Sequence, residues 1–378
     1  LAGRRAIFEE VFGWERPAWY APEGMAVEEV MSFRRSARHD IIGAEAMAVR
    51  TRVGLAEISA FAKFEIAGPD SPALLDRLCA NRLPREGRIV LTQLLNQAGR
   101  IEGEATVLRQ TADRFYFVTG APSELRLWDW LHANKKPREA VQIVNRSPEL
   151  GILCLAGPRS REVLVAATDA DLSNAAFPWM SGRSIQVAGE AVQALRVSYT
   201  GELAWEIHMP MAAMAPVFEA LWKAGERHGI ALFGSAALNS LRMEKAYRGG
   251  HELSPDATLA QADMLRFAKL DKGEFLGRAA VLSEQQTGPR ILLASLEVDT
   301  PDADCLGGEA VYANGAVVGS VTSGAYGFAV GRSLALAYLQ AGQAAQGTEL
   351  AVSLLGERRP ARVLAAAAYD AENLRLRA

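Results

Sequence analysis

The chain has 378 residues, of which 49% are hydrophobic and 22% charged, so it can bury more than one core and is expected to hold two or three domains. Its formal net charge of −3 and its scattered basic residues argue against nucleic acid or an anionic membrane surface as a partner. No apolar run approaches the roughly 18 to 20 residues that a membrane-spanning helix needs, and the N-terminus lacks the apolar stretch of a signal peptide.

Cysteine and histidine usage argues against a disulfide-bonded or metal-binding protein. The three cysteines, Cys79, Cys154 and Cys305, lie far apart, and the first two sit inside the apolar segments "RLCA" and "ILCLAG". This pattern is typical of buried thiols in a reducing compartment, here the cytoplasm or, in a eukaryote, the mitochondrial matrix. The five histidines show no metal-ligand spacing such as H-E-x-x-H, so we expect no bound transition metal.

The first forty residues carry a stretch rich in tryptophan and proline, "GWERPAWYAPEG", whose aromatic residues follow neither a helical nor a strand period. We expect residues 1–40 to wrap over the surface of a domain rather than to form a core of their own. Because the chain begins at Leu1, we also expect it to be a trimmed protein or a piece of a longer one.

A strand, a tight turn and a helix are predicted next. The segment "VGLAEISAFAKFEIAG" alternates and ends in Gly-Pro, and "DSPALLDRLCA" then predicts a helix with Asp70 or Ser71 as its N-cap. The same pattern, A-G-P-x-S followed by an apolar helical stripe, occurs at residues 66–78 and 155–167. Two interpretations stay open: a pair of related subdomains, or a common way of turning a strand into a helix.

Hairpins and helices alternate through the middle of the chain. The segment "RIEGEATVLRQTADRFYFVTG" predicts a hairpin whose first strand runs through Val107, and a helix capped by Ser123 follows. Further on, "AVQALRVSYTGELAWEIHMP" predicts a second hairpin with a Thr-Gly corner. A helix ended by Gly229 and another capped by Ser235 come after it. These interleaved elements predict an α+β fold.

The composition changes near residue 290, where short strands broken by Gly, Asn and Asp begin. The pair Asn314-Gly315 stands between two apolar runs, which is a strong signal for a tight hairpin turn. We therefore predict that residues 290–378 form a separate all-β domain, either a small barrel or a sandwich.

A few polar residues in these elements are the candidate functional groups. The chain has no G-x-x-x-x-G-K-[ST] phosphate loop, no G-x-G-x-x-G dinucleotide turn and no G-x-S-x-G nucleophile elbow. Glu104 lies in a strand beside Ala105 and Val107, and alternation alone favours a solvent-facing side chain over one that faces a cavity. By themselves, Glu206 is typical of a solvated strand face and Arg242 of a charged helix face.

Several blocks of sequence resemble a known family. The hairpin "SYTGELAWEI" resembles the S-Y-x-G-E-x-G-[YW]-E-[IL] signature of the aminomethyltransferase, or glycine-cleavage T-protein, family. "LNSLRMEKAY", "FAKLDKGEFLGRAAV" and "GSVTSGAYGFAVGRSLALAYL" resemble its later blocks in the same order, from about residue 30 to the C-terminus. "FGWERPAWYAPEG", "ISAFAKFEI" and "RMEKAYR" resemble the folate-binding C-terminal half of dimethylglycine and sarcosine dehydrogenases, in which a separate flavin domain makes the oxidation.

The resemblance implies a T-protein-like α+β fold with three lobes around a central folate site. Residues 41–289 would form two α+β lobes that divide near residues 145–150, and residues 290–378 would form the C-terminal β-barrel. Tetrahydrofolate is the cofactor implied. FAD would belong to a partner domain or subunit and not to this chain, which lacks a dinucleotide-binding motif.

The resemblance also assigns site residues. Tyr199 would pack against the folate, and Glu206 would accept hydrogen bonds from the amino-pyrimidine edge of the pterin, whose paired N–H donors suit two coplanar acceptor oxygens. Glu104 in "NQAGRIEGEATV" falls on the catalytic Asp of the family's N-x-x-G-G-I-x-D-D stretch, with one methylene more. Thr106 and Arg242 are the remaining cofactor-binding positions, with Arg242 reaching the pterin or the folate tail.

The chain departs from the family pattern at several positions. Gly103 replaces the first Asp of the catalytic stretch, and Leu91 stands where many relatives place a folate-contacting Tyr. The run "YRGGHEL" is one residue shorter than usual. Glu274 in "KGEFLG" occupies the position of a cysteine in the folate-binding repair factors built on this fold, which argues against a repair factor.

The function implied is transfer of a one-carbon unit from an N-methylated amine to tetrahydrofolate, giving 5,10-methylenetetrahydrofolate, with Glu104 as the catalytic group. A flavin dehydrogenase domain or subunit would supply the oxidised amine. Two alternatives remain: a non-catalytic folate-binding protein, and a flavin-independent demethylase of a sulfonium or quaternary amine. The expected partners are small molecules and that flavin component, with no nucleic acid and no membrane.

Overall fold

The computed structural model describes residues 1–28 and 32–378, in which helices and strands interleave along the chain. The mixed α+β architecture with a closed C-terminal barrel confirms the predicted fold class. The α-helices of this part of the chain are α1 (Arg38–Thr51), α2 (Ser71–Leu78), α3 (Glu124–Asn134), α4 (Ser160–Val165), α5 (Met214–Gly225), α6 (Ser235–Glu244) and α7 (Arg278–Thr287).

The strands form an N-terminal hairpin, two sheets and the barrel. The hairpin and the first strands are β1 (Ala6–Val11), β2 (Trp14–Tyr20), β3 (Gly54–Glu57), β4 (Ala62–Ala67), β5 (Ile89–Leu95), β6 (Ile101–Thr111), β7 (Arg114–Thr119) and β8 (Gln142–Asn145). The second sheet adds β9 (Leu150–Ala156), β10 (Gly182–Val187), β11 (Glu190–Leu195), β12 (Ala204–Pro210) and β13 (Ala231–Leu232). The barrel strands are β14 (Ile291–Val298), β15 (Ala310–Ala313), β16 (Ala316–Gly327), β17 (Arg332–Gln340), β18 (Glu349–Leu354) and β19 (Glu357–Val363).

The two sheets share one topology. The five-stranded sheet has the order β5-β6-β7-β4-β8, and the six-stranded sheet has the order β10-β11-β12-β9-β3-β13. In each sheet a strand leads through a Gly-Pro turn into a helix, and a three-strand meander then returns to pair with that first strand. The repeated A-G-P-x-S pattern is therefore part of a repeated supersecondary unit, which decides between the two interpretations of the sequence.

The Gly-Pro turn has the same geometry in both sheets. Gly68 and Gly157 adopt φ angles of 129° and 126°, and a Cβ atom at either would lie within 2.6 Å of a backbone oxygen. Ser71 and Ser160 do not cap their helices, because each hydroxyl donates to a backbone carbonyl of a neighbouring segment, at 2.7 and 3.1 Å. Asp70 occupies the N-cap position of α2, but its carboxylate accepts from a backbone N–H before β8.

Several local predictions were wrong in detail. The aromatic N-terminal segment has no strand period in sequence, yet it contains the antiparallel hairpin β1–β2, whose register shifts between Ile7 and Phe8 and whose second strand packs on α6. The segment predicted as one strand is β3 and β4, which belong to different sheets. Helix α6 begins at Ser235, so its N-cap is Gly234 and not the serine. The second predicted hairpin forms, since β11 and β12 pair antiparallel, but its turn is the longer loop of residues 196–203 and not a tight Thr-Gly corner.

The barrel closes in the strand order β14-β17-β16-β15-β18-β19. Asn314 and Gly315 connect β15 to β16 with φ angles of 48° and 83°, the left-handed pair that a type I′ hairpin turn requires. The predicted all-β domain is therefore a barrel and not a sandwich. Its apolar interior is separate from the cores of the two sheets.

The two sheets face each other across a small apolar cluster. Strand alternation puts Glu104, Thr106 and Leu108 on the same face of β6. Leu108 packs in this cluster with Leu195 of β11, which in turn pairs directly with Glu206 of β12. Because directly paired residues of antiparallel strands project to the same side, Glu104 and Glu206 lie on the facing surfaces of the two sheets.

A buried ion-pair network holds the loop between β11 and β12. Arg50 of α1 contacts Glu202 at 3.0 Å and Glu244 at 2.7 Å, and all three side chains are no more than 2% exposed. The same guanidinium donates to the backbone carbonyl of Thr200 at 2.7 Å. Since buried charges are tolerated only when they are paired, this network fixes the path of the loop that carries Tyr199.

Candidate functional site

Glu104 lies in the middle of β6, opposite Gln93 of β5. Gln93 Nε2 donates to Glu104 Oε2 at 2.7 Å, and the Thr119 hydroxyl donates to the Glu104 backbone carbonyl at 2.6 Å. Gln93 is fully buried, and its Oε1 atom has no hydrogen-bond partner among the described residues. An unpaired buried acceptor beside a carboxylate is the kind of feature that a bound ligand satisfies.

Burial controls the protonation of Glu104. Loss of hydration raises its pKa to about 7, while the hydrogen bond from Gln93 and the charges of Arg248 and Arg266 act in the opposite direction. The residue retains some exposed surface, so it lines a space and is not packed into a core. The expectation of a solvated side chain was wrong because this face of β6 is turned towards the second sheet and not towards bulk water.

Tyr199 lies in the loop between β11 and β12, beside Tyr247. The two rings stack at an interplanar angle of 23° with centroids 5.8 Å apart, and the Tyr199 hydroxyl donates to the Arg248 carbonyl at 2.9 Å. Burial raises the pKa of Tyr199; Arg242 opposes this shift and the Glu104 carboxylate adds to it. Glu104, Tyr199 and Arg242 are therefore close enough to interact electrostatically.

Arg242 lies in the last turn of α6, where its charge is largely committed. Its Nε donates to Asn239 Oδ1 at 2.9 Å and its Nη1 to the Tyr247 carbonyl at 3.0 Å. Nη1 is also 3.5 Å from Glu252 Oε2, a fully buried carboxylate that accepts hydroxyl hydrogen bonds from strand β16. These contacts use Nε and Nη1. Among the contacts within residues 1–28 and 32–378, they leave Nη2 available to a ligand.

Glu206 lies on β12 with its side chain 16% exposed. Its Oε2 atom is 3.4 Å from Nε2 of His208, whose Nδ1 is 3.0 Å from the hydroxyl of Tyr116 on β7. Burial lowers the pKa of His208, and the carboxylate of Glu206 acts against that shift. Glu206 is thus a carboxylate with one oxygen bound to a buried histidine and with access to solvent.

The structure divides the predicted site residues into two groups. Glu104, Tyr199 and Arg242 form one group, to which Thr106 adds only its position on the same face of β6. Glu206 forms the other group with His208, which shares its strand β12, and with Tyr116 of β7 on the facing sheet. Sequence reasoning found Glu206 but missed His208 and Tyr116, although a histidine two residues beyond a strand glutamate shares its face. It also missed the residues around the first group, for which the sequence offers no signal: Gln93, Tyr247 and Glu252.

Other features of the described residues bear on the class of protein. None of the helices there is long and apolar enough to cross a bilayer. The same residues contain no cluster of three or more His, Cys, Asp or Glu side chains that could hold a metal ion. All three cysteines are buried and unpaired, as the sequence predicts for Cys79 and Cys154.

Comparison with protein families gives two matches along the chain. The model described as "GCVT N-terminal domain" matches residues 1–272. The model described as "Glycine cleavage T-protein C-terminal barrel domain" matches residues 292–370, which agrees with the barrel that begins at Ile291. The first match covers both sheets and helices α1 to α6, the second covers nearly all of the barrel, and α7 lies between them.

Curated relatives and a solved structure agree with these matches. Mitochondrial dimethylglycine dehydrogenase of Rattus norvegicus is 38% identical over 355 residues, covering 93% of this chain and 41% of the relative. Mitochondrial sarcosine dehydrogenase of Mus musculus is 33% identical over 383 residues, covering 90% and 41%. The chain thus spans 41% of the length of either relative. The structure of glycine cleavage system aminomethyltransferase T from Bartonella henselae has the same fold, with a TM-score of 0.84 at 24% identity over 98% of this chain and 96% of that chain.

Proposed function

The chain belongs to the glycine-cleavage T-protein family of aminomethyltransferases, and from that premise we propose that it captures a one-carbon unit on tetrahydrofolate. The unit comes from an N-methylated amine, and the product is 5,10-methylenetetrahydrofolate. The observation that supports this activity best is Glu104, a carboxyl whose pKa burial raises to about 7, beside the unpaired buried amide oxygen of Gln93. A merely structural carboxylate has no need of either feature.

The side chains at the site suit a reduced pterin. A carboxylate binds the paired N–H donors of an amino-pyrimidine edge in one plane, and Glu206 has an oxygen atom left over from its contact with His208. Tyr199, stacked on Tyr247, offers an aromatic face, and Gln93 Oε1 offers an acceptor. When bound, tetrahydrofolate supplies the nucleophilic nitrogens that take up the one-carbon unit. Thr106 and the free Nη2 of Arg242 complete the proposed set of binding groups.

Glu104 is proposed as the proton acceptor at the reacting nitrogens. With a pKa of about 7 it is present in both protonation states at neutral pH, so it can accept a proton and pass it on. Its ionised form also stabilises positive charge that develops on a neighbouring nitrogen, because a desolvated carboxylate interacts strongly with a cation. Enclosure between two facing sheets limits the access of water, which would otherwise release the one-carbon unit as formaldehyde.

The oxidation that produces the reactive amine is assigned to a flavin dehydrogenase domain or subunit. The two curated relatives named above are dehydrogenases of dimethylglycine and sarcosine, and this chain matches 41% of their length. We propose that the donor is a small amine of that kind, and that the protein works in the cytoplasm or the mitochondrial matrix. The three buried, unpaired thiols are compatible with such a reducing compartment.

The test is the substitution Glu104→Gln in this chain, assayed together with the flavin dehydrogenase domain or subunit proposed above. With sarcosine or dimethylglycine as donor, the wild type should place its one-carbon units on tetrahydrofolate. The variant should release most of them as free formaldehyde, since it has lost the proton acceptor and kept the binding site. Its dissociation constant for tetrahydrofolate, measured by anaerobic calorimetry, should change by less than about threefold because Gln preserves the shape of the side chain.

Glu274→Gln is the matched control, because the Glu274 side chain is 83% exposed and its position is the one that holds a cysteine in repair factors. It should behave as the wild type. A Glu104→Gln protein that still forms 5,10-methylenetetrahydrofolate at the wild-type rate would refute the catalytic role of Glu104, and a wild type that binds tetrahydrofolate but forms none would favour the non-catalytic alternative. Demethylation of a sulfonium or quaternary amine without flavin would favour the third interpretation.

A further inference from the structure

His208 and Tyr116 form a buried hydrogen-bonded chain behind Glu206 to which the proposed activity assigns no role. We propose that both are positioning residues, which hold the Glu206 carboxylate in the orientation that lets it accept two N–H bonds from the pterin edge. This inference rests on the proposed function, because it takes Glu206 as the pterin acceptor. It attributes the orientation of the Glu206 carboxylate to His208 and Tyr116, two side chains on opposite sheets.

The chain of contacts crosses from one sheet to the other. Tyr116 is carried by β7 and His208 by β12, and the two side chains belong to residues that are only 4% and 2% exposed. The Tyr116 hydroxyl lies 3.0 Å from His208 Nδ1, and the rings meet edge to face at 85° with centroids 5.4 Å apart. His208 Nε2 lies 3.4 Å from Glu206 Oε2, at the long end of the hydrogen-bond range.

The protonation state of His208 follows from the two groups to which it is hydrogen-bonded, Glu206 and Tyr116. Burial lowers the pKa of His208, so the imidazole is neutral near pH 7 and has one donor and one acceptor nitrogen. The Glu206 carboxylate can only accept, which assigns the proton to Nε2. Nδ1 then accepts from the Tyr116 hydroxyl, which stays protonated because burial raises its pKa. The network thus selects a single tautomer and a single direction for each hydrogen bond.

No competing cation holds Glu206 in the described part of the chain. The ammonium of Lys63 lowers the pKa of His208, but it donates to two backbone carbonyls at 2.7 Å each and forms no bond to the carboxylate. The bond from His208 is the side-chain contact that the structure records for Glu206 there. Four ionisable groups on neighbouring elements interact with Glu206, His208 or Tyr116: Lys63, Glu65, Arg146 and Cys154.

The test is a set of calorimetric titrations with tetrahydrofolate on the full chain. His208→Phe removes both ring nitrogens and should weaken binding about tenfold, the size expected for one hydrogen bond to a charged group. His208→Gln keeps a donor and should recover part of that loss. Glu206→Ala should weaken binding by a similar or larger factor, and adding His208→Phe to Glu206→Ala should cause no further loss.

The outcomes separate the inference from the function it rests on. If Glu206→Ala weakens binding but His208→Phe and His208→Gln do not, the positioning role is wrong and the proposed folate site stands. An equal loss from His208→Phe with and without Glu206 would show a purely structural effect and also overturn the inference. If Glu206→Ala leaves the dissociation constant unchanged, the assignment of Glu206 as the pterin acceptor fails, and the inference fails with it.

The tautomer of His208 is a second measurable quantity, and a purely structural role for His208 would not determine it. In protein labelled with ¹⁵N-histidine, the NMR shifts of His208 should report the Nε2–H form, with no titration near the ordinary pKa of 6.5. Glu206→Ala removes the acceptor of Nε2–H and should convert the signal to a mixture of tautomers, whereas Tyr116→Phe removes only the donor to Nδ1 and should cause a smaller loss of folate affinity than His208→Phe. A wild-type His208 in the Nδ1–H form would refute the proposed chain of donors.

Discussion

Replacing Glu104 by Gln should stabilise the ligand-free protein above neutral pH and have little effect in acid. Below about pH 4.5 the carboxyl is protonated in the folded and the unfolded chain, so it contributes no difference in stability. As the pH rises through 4.5 the unfolded chain ionises, while the folded chain stays protonated up to its pKa of about 7. The folded state therefore loses stability across this window, by about 3 kcal/mol once the pH exceeds 7. Gln has a similar shape and no charge, so the variant escapes the loss.

The measurement is urea-induced unfolding of wild type and Glu104→Gln at about pH 4 and about pH 8. We expect nearly equal midpoints at the lower pH and a clearly higher midpoint for the variant at the higher pH. The exposed control Glu274→Gln should show no gain at either pH. A Glu104→Gln protein that is no more stable than the wild type at pH 8 would mean that the carboxyl is hydrated, and the proposed proton acceptor would lose its physical basis.

Three further predictions concern the scaffold. Arg50→Met leaves the buried Glu244 carboxylate without its cation and Glu202 with only Arg375, 3.7 Å away, and should destabilise the protein by about 3 to 5 kcal/mol in the same unfolding assay, so a loss below about 1 kcal/mol would contradict the network. Asn314→Ala places alanine at a φ of 48° and should cost about 1 kcal/mol of stability, whereas an unchanged midpoint would argue against the left-handed turn. The thiols of Cys79, Cys154 and Cys305, whose pKa values burial raises, should resist alkylation at pH 8 until denaturant is added, and rapid labelling of the native protein would show an open core.

Much of the fold is predictable from the sequence because its signals are local. Gly-Pro followed by serine marks both strand-to-helix turns. Asn314-Gly315 marks a tight hairpin turn, which requires two residues with a positive φ angle. The sequence predictions were wrong at positions where contacts between distant parts of the chain determine the local structure. The strand predicted around residues 54–67 divides between two sheets. Residues 196–203 form a longer turn than the predicted Thr-Gly corner, and Arg50 of α1 donates to the backbone of that loop at Thr200.

The site is predictable only in part, for a related physical reason. Alternation places Glu104 on the correct face of β6, but a period of two cannot tell whether that face meets water or a second sheet. The pKa of about 7 comes from burial of the carboxyl, and the hydrogen bond from Gln93 acts against that shift; neither effect has a signal in the sequence. His208 shares the face of Glu206 by simple spacing, whereas its contact with Tyr116 joins residues 92 positions apart.

The most direct test of the central claim is a crystal structure of the chain with tetrahydrofolate bound. The pterin should lie between the two sheets, with its amino-pyrimidine edge about 2.8 Å from the Glu206 carboxylate and one face on the ring of Tyr199. The nitrogens that accept the one-carbon unit should lie on the side of Glu104. A folate bound elsewhere on the surface, or a bound pterin with either carboxylate turned into bulk water, would contradict the proposed site.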